Sequence, residues 1–201
     1  MNDDFRYIPE PRRPLSNRTA EIVVRGQYHE FMLIPPMEHH TRWFDAGPIS
    51  IGVEARALGS DPARIIRGPS IHVFDAAREQ EYLRFDIFGE VLHYHYVLAD
   101  QDHNIVWGYD PDTNGPMLPW VIAALRDRLP TMLRKTGADR LAREVEQQGW
   151  VPSVLGEVEK AAAEALRPHP DDLKRSREGN EWMAKWKAVH PQFNTVAEGE
   201  I

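Results

Sequence analysis

Between Glu21 and Tyr109 apolar residues recur at every second position in short runs, and beyond Gly115 they recur every three or four. The first spacing is that of strands with one buried face and the second that of amphipathic helices, so the chain reads as a β half followed by a helical half. Glu21 to Ile34 is strand-like and closes at Pro35-Pro36, because proline cannot donate to a sheet ladder. Ile49 to Ala55 follows Gly47-Pro48. After a loop through Gly59, Pro62, Gly68 and Pro69, the segments Ile71 to Asp75, Tyr82 to Phe88, Leu92 to Leu98 and Ile105 to Tyr109 predict an antiparallel meander.

In the second half, Leu118, Val121, Ile122, Leu125, Leu129, Met132 and Leu133 form one helical stripe. Thr113 or Asn114 is placed to cap it, Pro130 to kink it and Gly137 to end it. Asp139 to Gln148 and Pro152 to Leu166 predict two further helices. After Pro168-His169-Pro170 a charged segment carries Trp182, Trp186 and Val189 at helical spacing.

The fold class expected is therefore α+β: an antiparallel sheet of about five or six strands, curved or partly closed, covered by the helix from Leu118 and extended by a helical C-terminal arm. Residues 1–18 read as an extended Pro/Arg-rich arm, 19–150 as the core domain and 151–201 as a helical extension. Every lysine lies at Lys135 or beyond, a compositional shift in keeping with a boundary near Gly115 to Gly137 and with a GC-rich bacterial genome.

The 201 residues suit one domain, or one domain with an appendage, and the 42% hydrophobic content lets it bury a core. A formal charge of −7 argues against nucleic acid and against an anionic membrane, both of which call for a basic footprint. The absence of cysteine excludes thiolate zinc sites and thiol catalysis and makes a reducing, cytoplasmic setting the expectation. No apolar leader segment precedes the Arg/Pro-rich stretch, and no run approaches a membrane span.

Chemistry concentrates in the β half, which holds seven of the nine histidines. In His93-Tyr94-His95-Tyr96 alternate residues share a face, which aims two imidazoles into one space. If Gly89-Glu90 is a two-residue hairpin loop, Asp86 lies opposite His93 and Arg84 opposite His95, while Leu83, Phe85, Tyr94 and Tyr96 take the other face. Looser pairing of the flanking strands sets His72 beside Arg84, and Trp107 and Tyr109 beside His95 and His93. The patch offers a metal site for zinc, manganese or iron built from His72, His93, His95 and Asp86. It also offers metal-free acid/base chemistry, with an Asp86–His93 pair and Arg84 gripping a substrate carboxylate. A third reading is a set of hydrogen-bonded residues that only line the core.

Asp110 to Gly115 matches half of a calcium loop but lacks its closing glutamate, and a helix-capping turn accounts for the same residues. His39-His40 falls on an apparent loop whose extended backbone would make the two rings diverge, leaving His40 as a distant addition to the patch. No nucleophile elbow, phosphate loop or dinucleotide fingerprint is present. The function expected first is an accessory or assembly subunit of a cytosolic bacterial complex, contacting a protein partner or a second copy through Trp182 and Trp186. The alternative is a small enzyme or ligand-binding protein using the His/Asp/Arg face on a small carboxylate, with or without a metal.

Overall fold

Alternation through Ile49-Ser50-Ile51-Gly52-Val53-Glu54 turns Ile49, Ile51 and Val53 to one side, and the same rhythm in the following strands builds a sheet with one apolar and one polar face. The computed structural model describes residues 27–29, 34–89, 92–98, 103–148 and 152–189. Seven strands form one open antiparallel sheet: β1 (Gln27–His29), β2 (Thr41–Ala46), β3 (Ile49–Leu58), β4 (Ile66–Asp75), β5 (Glu81–Asp86), β6 (His93–Leu98) and β7 (His103–Gly108). Strands β2 to β7 run as a meander and β1 returns to the far edge beside β7, in the order β1-β7-β6-β5-β4-β3-β2. The expected arm 1–18 lies outside the described residues, as does most of the strand expected over Glu21 to Ile34.

Among the described residues five helices follow: α1 (Pro111–Asn114), α2 (Met117–Lys135), α3 (Asp139–Gln148), α4 (Pro152–Ala165) and α5 (Asp172–Val189). The stripe Val121, Ile122, Leu125, Leu129 and Leu133 of α2 packs on Ile51, Ile71, Val73, Leu83 and Phe85 of the apolar face. Pro130 is carried within α2, and Gly137, at φ 85°, follows its end in the left-handed conformation that glycine adopts without strain. Neither Thr113 nor Asn114 caps α2. They belong to α1, where Asp110 accepts from the backbone N–H groups of Asp112 and Thr113. No helix among the described residues is long and apolar enough to cross a membrane.

Three differences from the sequence expectation have physical causes. Strand β2 falls where the polar and aromatic mixture Arg42-Trp43-Phe44-Asp45 suggests a loop: only Phe44 and Ala46 reach the core, while Thr41, Trp43 and Asp45 share the polar face. Trp43 earns its place by filling the space over Gly52, where an added Cβ would lie 2.8 Å from the ring. Strands β3 and β4 run on past Ala55 and begin before Ile71, across Gly68-Pro69, whose breaker composition predicted a loop. Finally, α4, expected within a C-terminal extension, places Leu155, Val158, Ala161 and Ala162 in the same core as α2, because its small residues allow close approach to β3 and β4.

Gly68 is required for a steric reason. A Cβ there would collide with the backbone carbonyl of Ile87 and lie 2.8 Å from the Phe88 Cβ. Gly68→Ala is expected to lower stability by about 1–3 kcal/mol, the usual cost of overpacking against backbone, as read from urea unfolding. An unchanged midpoint would show that the β4–β5 junction yields.

Candidate functional site

The polar face is built by register. Across the sheet, Glu54 pairs with Ser70, Ser70 with Asp86, and Asp86 with His93, while Gly52 pairs with His72, His72 with Arg84, and Arg84 with His95. Asp86 opposite His93, Arg84 opposite His95 and Phe85 opposite Tyr94 are the pairings that the sequence predicts, as is His72 beside Arg84. Trp107 departs from expectation: it pairs with Tyr94, and Val106 stands opposite His95. Setting Trp107 beside His95 would have carried Ile105 onto the polar face, and the core claims both. Tyr109 lies on the helix side too, its hydroxyl donating to Gly115 O at 2.8 Å and its ring 5.0 Å from that of Trp120.

Burial divides this face into two clusters. In the first, His72, without exposure, donates Nδ1–H to Glu81 Oε1 at 2.8 Å and sets Nε2 3.4 Å from Glu54 Oε2. Arg84 clamps Glu81 through Nε at 2.9 Å and Nη2 at 2.6 Å, and the same Nη2 reaches the Ile34 carbonyl at 2.9 Å. Glu54 accepts the Met37 backbone N–H at 3.2 Å. Residues 34–37 are thereby strapped across the polar face by a buried arginine and a buried glutamate. This engagement gives Arg84 a structural partner in place of the substrate carboxylate expected from the sequence.

Desolvation pushes against every charge in this cluster, yet its members hold one another ionised. Burial raises Glu81, but the Arg84 guanidinium and His72 bring it down to about 2. Burial opposes Glu54 as well, and Arg56, His72 and the Met37 N–H outweigh it, leaving a lowered pKa. For His72 burial lowers the pKa, and the flanking Glu81 and Glu54 carboxylates raise it above its ordinary 6.5 despite Arg84. A folded-state value above the unfolded one means that the bound proton stabilises the fold. That contribution is complete below pH 6.5 and is lost as pH rises through the raised value. The stability margin of metal-free wild type over His72→Gln is therefore expected to shrink as pH climbs through this window, in paired urea titrations. A margin that grows would contradict a protonated His72.

The second cluster is Asp86, His93 and His95. His93 Nε2 and His95 Nε2 converge on a single oxygen, Asp86 Oδ2, at 3.2 and 3.1 Å, and all three ligand atoms lie within 4.8 Å of one another. Ser70 Oγ donates to the other carboxylate oxygen, Asp86 Oδ1. His95 Nδ1 stands 2.8 Å from Asn104 Oδ1, which accepts its proton and fixes the tautomer. The Nε2 of neutral His95 then carries a lone pair aimed at a carboxylate oxygen, an arrangement that needs a proton or a cation between the two atoms. Burial raises the Asp86 pKa, but hydrogen bonds and charge from His93 and His95 outweigh it and hold the carboxyl well below its ordinary range. Burial lowers the pKa of His95, and Asp86 offsets this only in part. Asp86 and His95 are buried, and His93 keeps 20% of its side-chain surface, so the cluster opens on the His93 side.

The four-residue metal set read from the sequence is thus split: Asp86, His93 and His95 come together, and His72 is drawn to Glu81 and Glu54. Glu81 escaped the sequence reading because strict alternation puts it with Leu83 on the core face. A bulge between Val73 and Phe74 shifts the pairing, so that Phe74 meets Glu81 and the carboxylate turns toward His72. Glu54 was legible as a lone acid in an apolar strand, and Asn104 only from the register of β7.

The expected calcium half-loop resolves into the Asp110 cap of α1. The C-terminal arm docks on its own domain: Trp182 Nε1 donates to Pro35 O at 2.9 Å, Ser176 Oγ to Gly59 O, and Arg67 pairs with Asp172 at 2.7 Å. Compared with protein families, residues 43–162 match the family described as a domain of unknown function, DUF7700. That span runs from β2 to α4 and contains both polar clusters. No curated protein and no solved structure matches the chain.

Proposed function

The chain belongs to the DUF7700 domain family, and for this member we propose metal-dependent chemistry on a small ligand, with a divalent transition metal held by Asp86, His93 and His95. The observation that carries this reading is the convergence of two imidazole Nε2 atoms on one buried carboxylate oxygen. Ligands bound at about 2.0–2.1 Å to one tetrahedral ion lie roughly 3.3 Å from each other, close to the separations seen. Two nitrogens and one oxygen suit zinc, iron or manganese, and Asn104 supplies the outer hydrogen bond that orients a metal-binding histidine.

Three protein ligands leave coordination positions open, the mark of a catalytic site more than of a closed structural one. Such a metal would polarise a ligand oxygen or lower the pKa of water. His93 keeps the most exposed side chain of the three, so a ligand would approach from its side. Of the features behind the accessory-subunit reading, the Pro/Arg-rich arm, the charged helices and the aromatic tail, Trp182 of the tail donates to Pro35 O within the chain.

Untagged protein incubated with zinc, manganese or iron(II) and then desalted is expected to retain metal at this site. His93→Ala with His95→Ala should lose that equivalent while keeping the wild-type circular dichroism spectrum. Equal metal content in wild type and the double variant, or none in either, would overturn the proposal.

A further inference from the structure

A second convergence of the same kind lies on the other side of the 34–37 strap. His39 and His40 are adjacent, and the 3-10 turn Glu38–His40 brings their rings to 4.2 Å between centroids at 43°. Both Nε2 atoms address one oxygen of α5: Glu178 Oε2 lies 2.8 Å from His40 and 3.6 Å from His39. The remaining oxygen, Oε1, is 3.8 Å from Lys174 Nζ, so the lysine steadies the carboxylate without occupying the shared position. Two imidazoles this close repel if both are charged.

The turn is a fixed platform. His40 N–H and Thr41 Oγ1 both donate to Met37 O, at 3.0 and 2.8 Å, and Met37 is itself tied to Glu54. Its partner helix is placed by Trp182 on Pro35 and by Asp172 on Arg67. Arg175, whose charge opposes a cation at His40, lies 3.5 Å from Asp172 through Nη1, which dilutes its repulsion. His40 and Arg175 also line a cleft with Arg42, Glu164 and His169, which opens His40 to an ion, and His39 is itself exposed.

We propose that His39, His40 and Glu178 form a second transition-metal site, of the zinc type, that staples α5 to the turn ahead of β2. Because its ligands are 138 residues apart in sequence, an ion here would couple metal level to the docking of the C-terminal helix. It differs from the first cluster in consequence: the first presents a metal to a ligand, whereas this one joins two parts of the chain.

The test is zinc titration by calorimetry on full-length untagged protein, with amide exchange followed by mass spectrometry. His93→Ala with His95→Ala removes the first cluster, and this variant is expected still to bind one equivalent of zinc and to slow exchange in α5 at least tenfold. Adding His39→Ala, which alters only an exposed side chain, should abolish both effects, and Glu178→Gln should do the same. If the first-cluster variant takes up no zinc, or if His39→Ala and Glu178→Gln leave uptake and α5 exchange unchanged, the staple is refuted. Wild type that binds one equivalent, lost with His93 and His95, would refute the staple and leave the first site standing. One equivalent lost only with His39 or Glu178 would do the reverse.

Discussion

Replacing Arg84 with methionine is expected to destabilise the fold by about 3–5 kcal/mol, because Glu81 would remain ionised in the interior with its main counter-charge gone. The replacement keeps most of the volume, so the loss reports charge rather than packing. Glu81 keeps His72, which cannot supply the bidentate clamp that Arg84 makes at 2.9 and 2.6 Å, and the strap loses its bond from Arg84 to Ile34 O. Adding Glu81→Leu should recover more than half of the lost stability, since an apolar pair of similar size carries no desolvation cost. Guanidinium unfolding of the two variants decides it. A double variant less stable than Arg84→Met alone would mean that Glu81 matters chiefly through His72.

The second large effect belongs to the apolar face. Phe85 has no exposed surface, lies beside Tyr94 and Trp120 at 6.1 and 6.3 Å between ring centroids, and joins β5 to α2. Phe85→Ala is expected to cost about 3–5 kcal/mol by lost burial and an unfilled cavity. The neighbouring Arg84→Met change acts through charge on the opposite face, so the two losses have separate origins. A loss under 1 kcal/mol for Phe85→Ala, read from the same unfolding curves, would mean that α2 does not close over β5 as described.

Much of this was legible in the sequence because period and register are local. The alternation Leu83-Arg84-Phe85-Asp86 against His93-Tyr94-His95-Tyr96 admits one clean separation of faces, and the structure adopts it. The helices at Met117–Lys135, Asp139–Gln148 and Pro152–Ala165 follow from their stripes and flanking prolines and glycines. What escaped depends on contacts between distant segments or on breaks in periodicity. The bulge at Val73/Phe74 turns Glu81 to the polar face against its alternation. The 3-10 turn at His39-His40 brings together rings that extended backbone would separate, and the partner of those rings, Glu178, comes from the far end of the chain. Strand β2 was hidden because its core-facing set is Arg42, Phe44 and Ala46, which alternation of aliphatic residues does not flag.

The proposed function stands on one ion shared by Asp86, His93 and His95. The most direct measurement is a crystal structure of zinc-loaded protein with anomalous diffraction collected on both sides of the zinc edge. An anomalous peak is expected at about 2.0–2.1 Å from His93 Nε2, His95 Nε2 and one Asp86 oxygen, with His95 Nδ1–H still held by Asn104. Density showing both imidazoles bonded directly to Asp86, with no anomalous peak between them at saturating zinc, would contradict it.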